Sequence, residues 1–396
     1  MPASTGLSLP FLVFALFAGH AFAAMALMVL PSVAPKAAVD YGVDPSLIGY
    51  QIAIVSVGLI VSLLFLGNLN RRAGGARTNQ YGHALVAIGM LLMLLPSFAF
   101  LVAGSFAVGM GYGLLAPSAT YLLMRFTPPE RRSLVFSLQQ TGVPLGGMLA
   151  ASLAPAIAIA AGWRWSLVLS AVLLTAVVAL MQRGRRRWDD DRDRTARVVS
   201  VNPLAGVVLV WRHARLRAIA ISAGCFCWGQ FVVIAYTVVT CVEALGMTLV
   251  EAGLVATVAQ FFSAAGRVGA GWLADRVGSA RRVLSWIAWI MLAACIVTLW
   301  IAPGWPVLLV FALFAVHGVT TGAWAGVLLA ELGRLAPKGE VSLTITGSLV
   351  YLNLGKCAGP VVFALVYAAT RDYGIAFASV GAPAVLALWC LRRVKT

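Results

Sequence analysis

Gly67-Asn68-Leu69-Asn70-Arg71-Arg72-Ala73-Gly74 and Gly271-Trp272-Leu273-Ala274-Asp275-Arg276-Val277-Gly278 are two versions of one octapeptide, set 204 residues apart in a chain of 396. Each is a short basic hairpin with a glycine at either end, placed between two apolar runs long enough to cross a bilayer. A polar loop that recurs at half the length of a mostly apolar chain implies two related halves, each built of membrane helices.

Composition supports that reading. The chain is 61% hydrophobic and only 11% charged, whereas a soluble domain carries about a quarter charged residues. A hydrocarbon core about 30 Å thick takes about 20 apolar residues per helical span. Six such runs lie in the first half, at about 9–31, 48–68, 81–101, 103–126, 134–160 and 165–182. Six more lie at about 217–241, 250–273, 282–301, 304–330, 342–368 and 374–391. The expected fold is an all-α membrane protein of twelve transmembrane helices in two pseudo-symmetric six-helix bundles, 1–182 and 217–396, joined by a cytoplasmic linker at 183–216.

The net charge of +16 invites a nucleic-acid partner until the charges are placed on the spans. With both termini cytoplasmic, 24 of the 29 Lys and Arg residues fall in cytoplasmic loops or tails. Lys36, Arg164 and Arg371 fall outside, and Arg267 and Lys356 fall within spans. This positive-inside asymmetry fixes the orientation and makes the bilayer, not nucleic acid, the partner. Ala21-Phe22-Ala23 imitates a signal-peptide cleavage site, but no Lys or Arg precedes Lys36, so the run is read as the first span. The six cysteines lie in spans or at their ends, without metal or disulfide spacing.

Between the halves, Arg183 to Arg187 and then Asp189, Asp190, Asp191 and Asp193 alternate blocks of sign, the pattern of a solvated linker. Residues 203–211 are expected to form a short helix lying at the membrane interface. Gly109, Gly111 and Gly113 before Pro117 mark close helix packing or a bend, as do Gly142, Pro144, Gly146 and Gly147, and Gly355, Gly359 and Pro360.

The hairpin pattern G-x-L-A-D-R-x-G, nearly complete in Gly271 to Gly278 and followed by Arg281 and Arg282, resembles the signature loop of the major facilitator superfamily. Pro128-Pro129-Glu130-Arg131-Arg132, the glycine-proline motif of the fifth span and Gly162-Trp163-Arg164-Trp165 resemble further motifs of that family, so the likeness covers the whole chain. The resemblance implies transport by alternating access, with Gly67, Arg71, Gly271, Asp275, Arg276 and Gly278 in gating roles. Within the family the hairpin carboxylate caps a helix N-terminus across the bundle interface. Arg71 stands where the family has aspartate, which leaves the first-half latch weak; the partner expected for Asp275 is the start of the fifth span, near Arg132 and Ser133.

Lys356 lies mid-way along the eleventh span, where a charge costs at least about 2.5–3.5 kcal/mol and must face a wet cavity or a partner. Arg267 completes a stripe with Gln260 and Ser263 on the eighth span. His20 and His317 fall mid-way along the first and tenth spans, and Gln140, Gln230, Tyr236, Trp324 and Asn353 are further candidates for the cavity. No Asp or Glu lies mid-span, so the cavity favours an anion over a cation. An arginine on the eighth span with a lysine on the eleventh resembles the oxalate:formate antiporters, and the arginine alone resembles monocarboxylate transporters.

The leading expectation is therefore a secondary active transporter of a small organic anion, a carboxylate. It is read as a monomer of the bacterial inner membrane, coupled to a proton or a counter-substrate. The alternative is an efflux transporter for drugs or other amphipathic compounds, which the fifth-span motif supports and the missing carboxylates oppose. No triad, metal cluster or phosphate loop is present, so no enzyme and no cofactor is expected.

Overall fold

The computed structural model describes residues 9–128, 131–199, 202–337 and 340–393, and every element among them is helical. The first half runs through α1 (Leu9–Ser32), α2 (Ala34–Tyr41), a 3-10 turn at Pro45–Leu47 and α3 (Ile48–Phe65). The first hairpin contains α4 (Leu69–Ala73), and α5 (Gly75–Leu92), α6 (Phe98–Phe126), α7 (Arg132–Gln140), α8 (Gly142–Ala160) and α9 (Arg164–Gln182) follow. The connecting segment carries α10 (Arg185–Trp188) and α11 (Ala205–Arg212). The second half is α12 (Ala214–Glu243), α13 (Leu249–Val277), α14 (Ala280–Thr298), α15 (Val307–Leu335), α16 (Val341–Thr370), α17 (Tyr373–Ala378) and α18 (Gly381–Arg393).

Among the described residues, eleven segments are long and apolar enough to cross a membrane. The remaining expected span is α5, whose first turns bury Thr78, Asn79, Gln80 and His83. The Asn79 amide donates to Ser118 Oγ at 2.8 Å and Gln80 donates to the Val178 carbonyl at 2.9 Å, so these groups bond within the protein. The link from α5 to α6 falls at residues 93–97, earlier than hydropathy placed it. Ser97 caps α6 by accepting from the Ala99 amide, whereas Leu95, Phe98 and Phe100 are apolar but exposed and so prolonged the apparent run. The fifth and twelfth spans are each broken, into α7 and α8 at Thr141 and into α17 and α18 near Ser379. Pro144, three residues past the first break, brings no amide hydrogen to the helix.

The chain forms two compact units. One comprises the described parts of Met1–Leu27, Gly58–Gly147 and Ser166–Val201. Its core gathers Leu12, Leu16, Leu122, Leu123, Val177, Met181 and Trp188. Here α5 and α6 lie backbone on backbone: a Cβ on Gly111 would stand 2.5 Å from the Gly82 carbonyl oxygen.

The other unit comprises Met28–Val57, Met148–Trp165 and the described parts of Asn202–Thr396. Two helix pairs are equally close: a Cβ on Gly322 of α15 would meet the Ser263 carbonyl of α13 at 2.1 Å, and one on Gly355 of α16 would meet the Gly224 carbonyl of α12 at 1.9 Å. Helix α13 starts at a capping box of Thr248 and Glu251 and stops at left-handed Gly278 (φ 63°). The short helix expected over 203–211 is present as α11 and packs on α16: Gly206 lies against Leu343 and Gly347, and the Tyr351 hydroxyl donates to the Val207 carbonyl at 3.0 Å.

Candidate functional site

The close α12–α16 seam sets the surroundings of Lys356. Its side chain is 2% exposed and its Nζ stands 4.3 Å from the ring centroid of Phe231 on α12, with Cys227 and Cys357 near by. A cation over an aromatic face is attracted by the ring quadrupole, but the ring carries no net charge. One turn away Phe226 stacks on Trp324 of α15 with centroids 6.1 Å apart. Trp324 is buried, and its indole N–H and that of Trp228 have no hydrogen-bond partner among the described residues. Gln230 is buried on the same helix. Asn353, one turn before Lys356, donates to the Leu349 carbonyl of its own helix at 2.7 Å.

The stripe on α13 divides between neighbours. The Gln260 amide lies 3.4 Å from Met28 Sδ, Ser263 faces Gly322 in the seam with α15, and Arg267 is half-buried. His317 sits in a packed cluster with Phe314 and Phe377, its Nε2 3.0 Å from Thr298 Oγ1. In the first unit His20 is buried against Tyr112, with ring centroids 5.8 Å apart. Gln140 is exposed, and its neighbour Gln139 is the buried one. The structure adds His83, whose Nδ1 lies 2.9 Å from the Asn79 carbonyl. A span drawn from 81 put this histidine at its edge, and only the polar run from Thr78 to Gln80 signalled that the helix begins earlier.

Tyr236 does something other than line a cavity. Fully buried on α12, its hydroxyl lies 2.8 Å from the carbonyl oxygens of both Ser46 and Pro360. It thereby ties the turn before α3 to α16, and its ring stacks on Phe363 at 3.8 Å. Gly49 makes this possible, because a Cβ there would lie 2.2 Å from the Tyr236 hydroxyl and 2.3 Å from the Pro360 carbonyl. At the same end, remote from the hairpin at Gly271, Arg371 pairs with Asp44 at 3.2 Å. Arg371 closes α16 in the left-handed region (φ 56°), which non-glycine residues seldom enter. Asp40 binds the Trp163 indole at 2.9 Å and also pairs with Arg164. The Trp163 bond, followed by Arg164, holds the Asp40 carboxyl below the usual carboxylate range. Burial pushes Asp44 upward, but its bonds to Ser46 and the Arg371 charge outweigh this and leave it lowered.

The two hairpins are built differently. Gly271, Asp275 and Gly278 line a cavity of about 630 Å³ with Arg281, Glu331 and Arg334, the last two paired at 2.6 Å. Arg276 lies over the Trp272 ring at 5.5 Å. The side chains of Arg132 and Ser133, the expected partners of Asp275, lie outside the described residues. In the first copy Gly67 lies in the turn before α4, and the Arg71 carbonyl accepts from the Asp193 amide at 2.8 Å. The segment expected to be solvated is therefore partly docked, with Trp188 and Asp189 only 2% and 4% exposed.

The described helices, long and apolar enough to cross a membrane, and the repeated hairpin at Gly67 and Gly271 define a multi-pass membrane protein. The chain belongs to the Major Facilitator Superfamily, whose family model matches residues 16–282 and 219–396. It is similar to an uncharacterized MFS-type transporter of Mycobacterium tuberculosis, with 25% identity over 61% of this chain and 53% of that one. It is also similar to the 4-hydroxybenzoate transporter PcaK of Pseudomonas aeruginosa (29% identity, 38% and 33% covered) and to monocarboxylate transporter 13 of Bos taurus (27%, 79% and 72%). The chain thus spans about half the length, or less, of the first two relatives. A peptide transporter POT solved in complex with sulfate shares the fold, with a TM-score of 0.75 over 96% of this chain and 94% of that one at 16% identity.

Proposed function

We propose that this transporter is a secondary active carrier of a small organic anion, a carboxylate, working by alternating access between bundles 1–182 and 217–396. The observation that carries the reading is Lys356, a lysine buried at mid-helix against an aromatic ring in a chain whose 13 Asp and Glu residues all lie away from the middle of a span. A charged group at mid-span is rare and marks the path of a substrate or ion, and a cation there suits anionic cargo. Arg267, with its planar fork, is the second cation offered to the same anion. The names of two relatives, a 4-hydroxybenzoate transporter and a monocarboxylate transporter, support the same cargo class. The distribution of Lys and Arg supports placing the hairpins and both termini on the cytoplasmic side, in a membrane of the bacterial inner type.

The test is a thermal-shift panel of carboxylates, amino acids and cationic or neutral amphiphiles on purified protein, because a ligand that prefers the native state raises its apparent stability. A carboxylate should stabilise the wild type and fail to stabilise Lys356→Gln. Arg267→Lys should weaken the response less than Arg267→Ala. Undiminished carboxylate binding by Lys356→Gln, or a panel answered only by cations and neutral drugs, would transfer the case to the efflux reading.

A further inference from the structure

The two halves solve one problem in different ways. Each hairpin ends in a glycine with positive φ, Gly74 at 95° and Gly278 at 63°, and a long helix begins at once. Helix N-termini leave amide groups that need acceptors. In the second half Ser279 caps α14 with its own side chain, accepting from the Arg282 amide at 3.4 Å. In the first half the equivalent of Ser279 is Gly75, and the residue before it is Gly74, so no local side chain is available. The acceptor comes instead from the connecting segment: Asp189 Oδ1 accepts from the Ala76 amide at 2.7 Å and Oδ2 from the Arg77 amide at 3.0 Å. Gly74 leaves the space, because a Cβ there would stand 2.3 Å from the Asp189 carboxylate.

Asp189 is held in place by a docked segment. Trp188 is buried in the core of the unit and stacks on Phe11 with centroids 5.9 Å apart. Arg125 of α6 pairs with Asp190 and Asp191 and donates to the Trp188 carbonyl at 3.3 Å, and Tyr121 binds Asp191. Beyond the acidic run the Asp193 amide donates to the Arg71 carbonyl, and Arg72 donates to the Ala196 carbonyl at 3.3 Å. Burial raises the Asp189 carboxyl above its usual range while the Ala76 and Arg77 amides pull it down. Holding a charge there therefore depends on the neighbouring contacts as well as on the cap.

We propose that the connecting segment clamps the first signature hairpin: the Asp189 carboxylate caps α5, so that segment 188–196 and the hairpin move as one piece.

Two measurements on the full chain in lipid nanodiscs test this. Hydrogen exchange at Ala76 and Arg77 should quicken at least about tenfold in Asp189→Ala and by less in Asp189→Asn, which keeps one accepting oxygen and serves if the alanine variant folds poorly. Spin labels at Asn68→Cys and Thr195→Cys should report one narrow distance in the wild type, unchanged in Gly49→Ala, whose methyl group disrupts the Tyr236–Pro360 contact, and a broadened one in Asp189→Ala. The native cysteines are buried apart from half-buried Cys357, so labelling favours the introduced pair. A distance that shifts or splits in the Gly49→Ala background, or exchange at Ala76 and Arg77 indifferent to Asp189→Asn and Asp189→Ala, overturns the clamp.

Discussion

Replacing Tyr236 by Phe isolates one bond that holds the end of the molecule remote from the second hairpin. The ring and its stack on Phe363 remain, and only the hydroxyl between the Ser46 and Pro360 carbonyls is lost. One proton is shared between two acceptors, so the loss is about one net hydrogen bond, about 0.5–1.5 kcal/mol. Since 1.4 kcal/mol is a factor of ten, the population of molecules open at that end should rise about two- to twelvefold. Gly49→Ala should act far more strongly, because its methyl group meets the Pro360 carbonyl as well as the hydroxyl and backbone cannot step aside as a side chain can. Adding Tyr236→Phe to Gly49→Ala relieves only the hydroxyl contact, so the double variant should stay open. Reaction of a cysteine at Ser46 with a membrane-impermeant maleimide reads the opening directly. Labelling rates for Tyr236→Phe and Gly49→Ala equal to the parent's would refute the argument that this contact holds the end closed.

The far-end carboxylates Asp40 and Asp44 are lowered below 3.8, so their contribution is intact above that pH and is lost as pH falls through the lower folded values. The midpoint of thermal unfolding in Asp40→Asn/Asp44→Asn should therefore fall less steeply than wild type below about pH 3.8. Gly322→Ala drives a methyl group to 2.1 Å from the Ser263 carbonyl and should lower the unfolding temperature by several degrees, as overpacking of about 1–3 kcal/mol does, whereas Gly326→Ala meets nothing and should leave it unchanged or slightly raised by the same measurement. Asp275→Asn should slow turnover in a proteoliposome flux assay while changing cargo affinity less, as expected of a gating group.

The repeated hairpin and the runs of apolar residues made the helical membrane fold legible, because a bilayer permits few other backbones. Spans failed where hydropathy and burial part company. Exposed Leu95 and Phe98 extended a run through a turn, and buried Asn79, Gln80 and His83 hid the start of α5. Lys356 was readable because a charge at mid-span is rare. The tie through Tyr236 was not, since Ser46, Tyr236 and Pro360 meet only after folding and a tyrosine in a span has many ordinary uses. Charge blocks misread the connecting segment for a related reason: the sign pattern of Asp189 to Asp193 is that of a solvated coil, and only the amide groups of α5 give Asp189 a buried destination.

The glycine seams between α13 and α15 and between α12 and α16 have a mechanical consequence. Where one helix backbone rests on another's carbonyl oxygens, no layer of side chains remains that could change rotamer and let the pair slide. Each pair therefore acts as a beam, stiff against shear along its length. Compliance is left to the places where the polypeptide rod is interrupted, at Thr141 between α7 and α8 and near Ser379 between α17 and α18, and bending strain should concentrate there.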